Sequence, residues 1–426
     1  MFSRVEHRGN DGDVGEVHVL SFEGPDSYAR AGGIATRIVG LTDALANDHG
    51  LDTHLWFVGD PNAEGHEKRG HLHLHRWCQW ISRYHPAGVY DGEEGKIADY
   101  ARSLPPWMLA RLAPNLLGGG RALVIAEEHQ TVPAVLHLDH LLREAGLRDR
   151  VRILWNANNT FGFHTIPWPA LTRAATITTV SRYMRQWMLD HVGVEPLVIP
   201  NGLGDEAFAA ITGDQLRELK RHTHGRTLLT KVARFDPDKR WMTAISAVAA
   251  LKQRGAKPLL LARGGLEAHG VEVIERARAL GLRVSERTTS GPGGAGLAGA
   301  LHDAREHDVV VMRSHLDDEA KRVLYRGSAA VLANSGHEPF GLVGLEAMAA
   351  GGVACTGVSG EDYAVSGSNA LVVQTADPRE LVEDVELLRR SPGIAKSIRR
   401  EGQRTAKQFA WSQVVERSLF PQIRTA

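Results

Sequence analysis

HEPFGLVGLEAMAAGG runs from His337 to Gly352 and carries two acids, Glu338 and Glu346, with seven residues between them. The apolar run Val331-Leu332-Ala333 predicts a strand, and Asn334-Ser335-Gly336 the turn after it. Pro339 suits a helix start, where its missing N–H is no loss. Leu342, Leu345, Met348 and Ala349 then fall on one helical face, and Gly351-Gly352 ends it. The amides near Phe340, Gly341, Leu342 and Val343 are the unpaired donors of a helix N-terminus, which is an anion site. Acids beside such a site do not hold a phosphate. They suit the hydroxyls of a sugar or a ribose, which donate hydrogen bonds to carboxylates.

Positive charge comes from other strand-to-helix loops. TKVARFDPDKRW places Arg234 and Lys239 after a strand, on either side of an Asp-Pro-Asp turn. A guanidinium and an ammonium there can converge on a diphosphate. Asp236-Pro237-Asp238 reads as a proline-braced turn and not as a metal site. Near the N-terminus, Arg30-Ala31-Gly32-Gly33 precedes a helical pattern, and glycines let backbone amides approach a phosphate closely.

These loops need a scaffold. Apolar runs at 17–22, 55–58, 122–126, 151–155, 176–180 and 197–199 alternate with helical patterns, the first of them spaced through Ile34, Ile38, Leu41 and Leu45. After the turn Pro200-Asn201-Gly202 the alternation restarts with strands at 227–233, 259–261, 309–312, 331–333, 353–355 and 371–373, and a helix at 241–252. The expected fold is α/β, with two doubly wound parallel-sheet domains, 1–202 and 203–409, facing each other across a cleft. Two stretches break the alternation: 100–120, and 288–299, where SGPGGAGLAGA reads as a flexible insert even though its glycines fit Gly-x-Gly-x-x-Gly.

The whole chain sets the outer limits. Its 426 residues hold 50 Lys plus Arg and 50 Asp plus Glu, a zero net charge that argues against bulk nucleic-acid binding. Cys78 and Cys355 are too far apart in sequence to form a disulfide framework or zinc spacing, which suggests a reducing compartment. The first residues are polar and lack the apolar stretch of a signal peptide, and no run approaches the ~18 apolar residues of a membrane span. A cytoplasmic protein is expected. His71, His73 and His75 share a strand face at period two, but no acid or cysteine stands near them at ligand spacing, so an exposed strand face is the reading. Arg76 to Tyr84 mixes basic and aromatic residues; a packed segment is expected there, with acceptor stacking or a membrane surface as other uses.

ARAGGIA, VIPNG, ARFDPDK, HEPFGLVGLEAMAAGG and FAWSQVVERSL, in this order across nearly the whole chain, resemble the retaining GT-B glycosyltransferases that include glycogen, starch and sucrose-phosphate synthases. The resemblance implies that Arg234 and Lys239 neutralise a leaving diphosphate, aided by the amides of Gly32 and Gly33. It gives Glu338 the donor-sugar hydroxyls, Glu346 the ribose, and Phe340, Gly341 and Leu342 backbone contacts to sugar and phosphate. It makes 410–426 a final helix returning to the first domain. Donor and acceptor would be a nucleotide-diphosphate sugar and a sugar or other hydroxyl compound, without a metal or other cofactor. The sequence departs from its relatives on the acceptor side. Glu128 stands for an aspartate, His129 is displaced by one with Gln130 in the histidine's place, Asn158 stands for a second histidine, and Arg30 for a lysine. These changes point away from glucan elongation and toward a different acceptor. The rival readings are a sugar-nucleotide-binding regulator that has lost catalysis and a membrane-docked lipid glycosyltransferase.

Overall fold

A computed structural model of the protein describes residues 14–289, 291–302 and 304–424. Most of the polar N-terminal stretch, Ser290 of the Gly-rich stretch and the last two residues of the returning segment lie outside them. The chain divides into two compact units, residues 1–202 with 411–426, and residues 203–410.

Among the described residues, the first unit holds an eight-stranded sheet built from β1 (Glu16–Leu20), β2 (Asp52–Val58), β3 (His66–Arg69), β4 (Leu72–Trp77), β5 (Ala122–Glu127), β6 (Val151–Ala157), β7 (Thr176–Thr179) and β8 (Leu197–Val198). The order is β3-β4-β2-β1-β5-β6-β7-β8, parallel except for the β3–β4 pair. β1 and β5 are buried along their whole length, which is why β5 reads as an apolar run, while β1 buries Glu16 and His18 among its apolar residues. The order in which strands are added reverses between the parallel neighbours β1 and β5, so the crevice at their carboxyl ends is this unit's switch point.

The expected interruption at 100–120 is instead part of a 25-residue helix, Glu93–Leu117, with Pro105, Pro106 and Pro114 inside it. Tyr100, Leu104, Met108, Leu112 and Leu116, each four positions after the last, are fully buried on one stripe. A proline at 105 leaves the carbonyl of Ala101 without its usual helical donor. The imidazole of His137, on the neighbouring helix Val132–Glu144, meets that oxygen at 2.8 Å. The apolar stripe thus wins over the broken ladder. The segment after Ala410 packs into this unit's core, where Trp411, Val414, Val415 and Leu419 join Ile38, Leu41 and Leu45. Gly40 and Gly202 make room for Trp411: a Cβ on either would come within 2.1 or 2.5 Å of the indole.

The second unit, within the described residues, holds seven parallel strands: β9 (Thr227–Val232), β10 (Pro258–Arg263), β11 (Val284–Arg287), β12 (Val309–Met312), β13 (Ala330–Ala333), β14 (Ala354–Thr356) and β15 (Leu371–Val372), in the order β11-β12-β10-β9-β13-β14-β15. Its strands feed two cores by simple alternation. Leu229 and Leu260 face the helix Trp241–Gln253, while Leu228, Leu259 and Leu261 face the opposite layer. The Gly-rich stretch read as a flexible insert is in fact the helix Gly293–Ala300, with Leu297 fully buried in that second layer. Small residues let it pack tightly, and a Cβ on Gly296 would lie 1.8 Å from the Gly291 carbonyl. Its leading amides are occupied by acids, Gly293 donating to Asp317 at 2.6 Å and Gly294 to Glu319 at 3.3 Å, so no phosphate cradle is formed there.

Candidate functional site

In the second unit β9 and β13 are neighbours, and the loops leaving their carboxyl ends carry the acids and bases singled out above. The β9 loop turns through the short helix Pro237–Lys239, which Asp236 caps by accepting the Asp238 amide at 2.8 Å. Asp238 ties this turn to the β13 loop. Its backbone carbonyl accepts the Gly336 amide at 2.7 Å, and its carboxylate accepts the His337 amide at 3.1 Å. That stitching brings the Lys239 ammonium to the Glu338 carboxylate at 2.6 Å. Glu338 is held from behind as well, its amide donating to Ser359 Oγ at 2.7 Å and its carbonyl accepting Gly360 N–H at 2.7 Å. Arg234 lies exposed on the same loop, anchored by the Trp241 indole donating to its carbonyl at 2.8 Å.

The helix begins at Leu342 and not at Pro339, which stays in the loop. Gly341 explains the delay. It adopts φ +80°, a left-handed conformation that a side chain strains, so the chain turns sharply there before entering Leu342–Ala349. Its carbonyl accepts from the Tyr363 hydroxyl. Phe340 is buried against Tyr363 and Phe409, which leaves only its backbone for a ligand. Glu346 sits on the first turns of this helix, 3.7 Å from the Lys321 ammonium and 3.5 Å from the Tyr325 hydroxyl. Burial raises its carboxyl above the ordinary range, against the pull of Lys321.

Two further groups lie here that the motifs did not reveal. Glu361 is buried, and neither carboxyl oxygen has a hydrogen-bond partner. Burial, reinforced by the Glu338 charge, pushes it up to about 8. Lys231, at the end of β9, is also buried and donates to the Leu332 carbonyl at 3.0 Å and Asn334 Oδ1 at 2.7 Å. Burial and the neighbouring Lys239 bring it down to about 7. A polar residue inside the apolar run Thr227–Val232 was the available signal for Lys231. Glu361 had only its place after a strand.

In the first unit the switch-point crevice gathers acids. Glu23, just past β1, is buried, and one of its oxygens accepts the amides of Gly32 and Ala35 at 3.0 Å each. The other accepts the Tyr90 hydroxyl at 2.6 Å. The Gly32 amide, expected to face a phosphate, thus donates to a carboxylate of the chain itself at the N-terminus of the helix Gly33–Asp43, where the dipole favours negative charge. Gly33 is that helix's first residue, and Arg30 is exposed, with one weak contact to the Pro25 carbonyl at 3.4 Å.

At the end of β5, Glu127 is fully buried between Arg37 at 3.0 Å and the amides of Asn156 and Asn158 at 2.8 and 2.7 Å. Glu128 has φ +67°, rare for a residue with a side chain, and accepts the Asn158 backbone amide at 2.7 Å. Burial pushes its carboxyl up to about 8, the Asn158 bonds working against this and the charges of Glu127 and Glu23 adding to it. Asn158, which stands in the place of a histidine, thus holds both acids, its backbone amide on Glu128 and its side-chain amide on Glu127. His129 packs edge-on to Phe161 at 5.7 Å, and its Nδ1 is buried without a hydrogen-bond partner. Gln130 donates to Glu93 at 2.8 Å.

The stretch Arg76 to Tyr84 is not one uniform surface. Arg76 is buried in ion pairs with Asp26 and Glu67, and Cys78 and Ile81 are buried, while Trp80 and Tyr84 are exposed. Cys78 and Cys355 are free and buried. No described helix is long and apolar enough to cross a membrane.

Two Rossmann-like parallel sheets, each with its polar groups at the switch point, define a GT-B architecture. The same fold is found in the sucrose-phosphate synthase of Thermosynechococcus elongatus, 18% identical with a TM-score of 0.63 over 96% of this chain and 99% of that one. It is found again in a UDP-forming α,α-trehalose-phosphate synthase of Burkholderia xenovorans in complex with glucose-6-phosphate, at 15% identity and a TM-score of 0.64 over 97% and 100% of the two chains. Anabaena HepE in complex with UDP is 13% identical, with a TM-score of 0.63 over 96% and 100%. No curated protein matches the sequence. Residues 214–405 match the model of glycosyl transferases group 1. That matched stretch lies within the second unit, and the whole chain shares the GT-B fold of these structures.

Proposed function

We propose that the protein is a retaining glycosyltransferase that moves a hexose from a nucleotide-diphosphate sugar to a hydroxyl acceptor other than a growing glucan, without a metal. The observation that carries this reading is the Lys239–Glu338 contact at 2.6 Å between the β9 and β13 loops. It puts an ammonium for phosphate oxygens beside a carboxylate for sugar hydroxyls, with the exposed Arg234 on the same loop.

Glycosyl transfer builds positive charge at the anomeric carbon and negative charge on the leaving phosphate. In this reading Arg234, Lys239 and the leading amides of the helix Leu342–Ala349 meet the phosphate charge, and Glu338 holds the sugar in place. Glu346 accepts from the ribose hydroxyls. The acceptor attacks from the face the phosphate leaves, which keeps the configuration. Acids supplied by Glu23, Glu93 and Glu128 on the acceptor side favour an acceptor rich in hydroxyls.

The decisive experiment is a thermal-shift panel of nucleoside diphosphates and their sugars on wild type and Arg234→Ala, followed by nucleoside-diphosphate release with hydroxyl acceptors. A ligand at one hundred times its Kd adds about 2.7 kcal/mol to stability, a readable shift. One nucleotide series should stabilise the wild type and not the variant, and Lys239→Met should lower turnover about 100-fold or more. No shift with any nucleotide at millimolar concentration would sink the donor site. A second reading, binding without turnover, is favoured by Glu23 occupying the Gly32 amide. It predicts stabilisation with no release whatever the acceptor.

A further inference from the structure

Five histidines line one face of the first unit's sheet, far from the strand ends that carry the acids above. His18 on β1 stands in register with His54 on β2, His54 with His73 on β4, and His75 with His66 on β3. The helix Glu93–Leu117 lays Trp107 against His75, with ring centroids 6.0 Å apart, and Arg111 against His54 at 2.8 Å. The sequence offered no acid near His73 and His75; folding brings Asp52, at the start of β2, beside His73. His71 falls in the turn before β4 and takes no part.

Hydrogen bonds account for most of this row. The Trp56 indole donates to His18 Nδ1 at 3.0 Å, which leaves His18 Nε2–H for Glu16 at 3.2 Å. Arg111 donates to His54 Nε2, so His54 Nδ1–H faces His75 Nε2 at 2.9 Å. His73 is different. Its Nδ1 lies 3.3 Å from His66 Nε2, while its Nε2 is buried 3.1 Å from Asp52 Oδ1 with no well-aligned N–H between them. The other Asp52 oxygen is 3.5 Å from His54 Nε2. Two Lewis bases side by side with no proton directed between them are arranged as ligands of a common cation. In a tetrahedral zinc site with bonds of about 2.0–2.1 Å, ligand atoms stand roughly 3.3–3.4 Å apart.

We propose that Asp52, His54 and His73 form a binding site for a divalent transition-metal ion of the zinc type. One ligand atom from each of the three lies within 4.8 Å of the others. Two imidazoles and one carboxylate suit zinc, nickel or copper and not magnesium. Asp52 is half-exposed, so the ion enters from solvent and keeps water in its open position. Arg111 occupies His54 Nε2 in the empty site and must swing away, so it competes with the ion. His66, behind His73, orients that ring. The site is built from the first unit alone and does not depend on the donor reading.

The test uses untagged, chelator-stripped full-length protein. Zinc should bind at one equivalent by calorimetry and raise the Tm, magnesium should do neither, and cobalt should give the visible absorption of a low-coordinate N/O site. Asp52→Asn and His73→Gln should each weaken zinc at least tenfold, as loss of a ligand does more than the 10–100-fold of an outer-shell change at its weak end. Arg111→Met should tighten it, which a merely structural role for the row does not predict. His140→Gln, an exposed histidine elsewhere, should change nothing. Absence of one-equivalent zinc binding to the wild type, or binding unchanged in both His73→Gln and Asp52→Asn, overturns the proposal. If Asp52→Asn fails to fold, His73→Gln and the wild-type cobalt spectrum still decide it.

Discussion

Glu361 shows what a single buried carboxyl does to this protein. Its proton is held to about 8, whereas the unfolded chain loses it near the ordinary value of 4.5. Between those values the folded state binds the proton and the unfolded state does not, so stability falls as pH rises through that window. Glu361→Gln removes the titration. Denaturant midpoints at pH 5 and pH 8 should therefore fall further for wild type than for the variant, by roughly a few kcal/mol at most. Equal falls would show that Glu361 is ionised in the folded protein. Gly341 makes a second prediction at this scale. A Cβ there would meet Glu361 Cγ at 2.5 Å, at a residue with φ +80°. Gly341→Ala should cost about 1–3 kcal/mol and weaken nucleotide binding, read by thermal shift with and without ligand. Single residues were unevenly legible in the sequence. Glu338 and Lys239 stood in loops with strong local punctuation, so each was readable as a loop residue, while their contact at 2.6 Å was not. Glu23 and Asp52 acquire their partners, and Glu361 its burial, only through the folding of the chain, and nothing in their local spacing announces that.

Elements follow the same division. Strands buried on both faces were readable as apolar runs, because burial on two sides demands it. The helix Glu93–Leu117 was not, because three prolines argue against a helix while the four-residue stripe from Tyr100 to Leu116 argues for one. Burial of that stripe outweighs the lost backbone bonds, and His137 supplies one replacement partner. His137→Ala should leave the Ala101 carbonyl unpaired and cost about 1–3 kcal/mol, measurable in chemical denaturation. If the variant is as stable as wild type, water replaces the imidazole and the helix needs no external partner. The Gly293–Ala300 helix misled in the opposite sense. Its low complexity suggested a loose segment, yet small side chains are what allow its close approach to Gly291.

At the scale of the molecule, the two units differ in how they are assembled from the chain. Residues 203–410 form one continuous stretch with their own cores, while the first unit takes in residues 411–426 as well. Trp411→Ala should cost about 3–5 kcal/mol in the first unit, since the indole fills a space that Gly40 and Gly202 leave open. A melt followed by near-UV circular dichroism should show this loss, and a separately expressed 203–410 should keep its own cooperative transition. An unchanged melt would mean that the returning segment is an ornament on the surface and not part of the core.

That return of the chain also has a consequence in time. A ribosome delivers the first 202 residues early, but Trp411, Val414, Val415 and Leu419 emerge only after the whole second unit has been made. Domains made first ordinarily finish folding first. Here the second unit has all its parts while the first still waits, with the apolar bed around Ile38, Leu41 and Leu45 uncovered. A nascent chain stalled before residue 411 therefore presents a greasy, unfinished surface, a mark by which quality-control machinery can tell a shortened copy from a finished one.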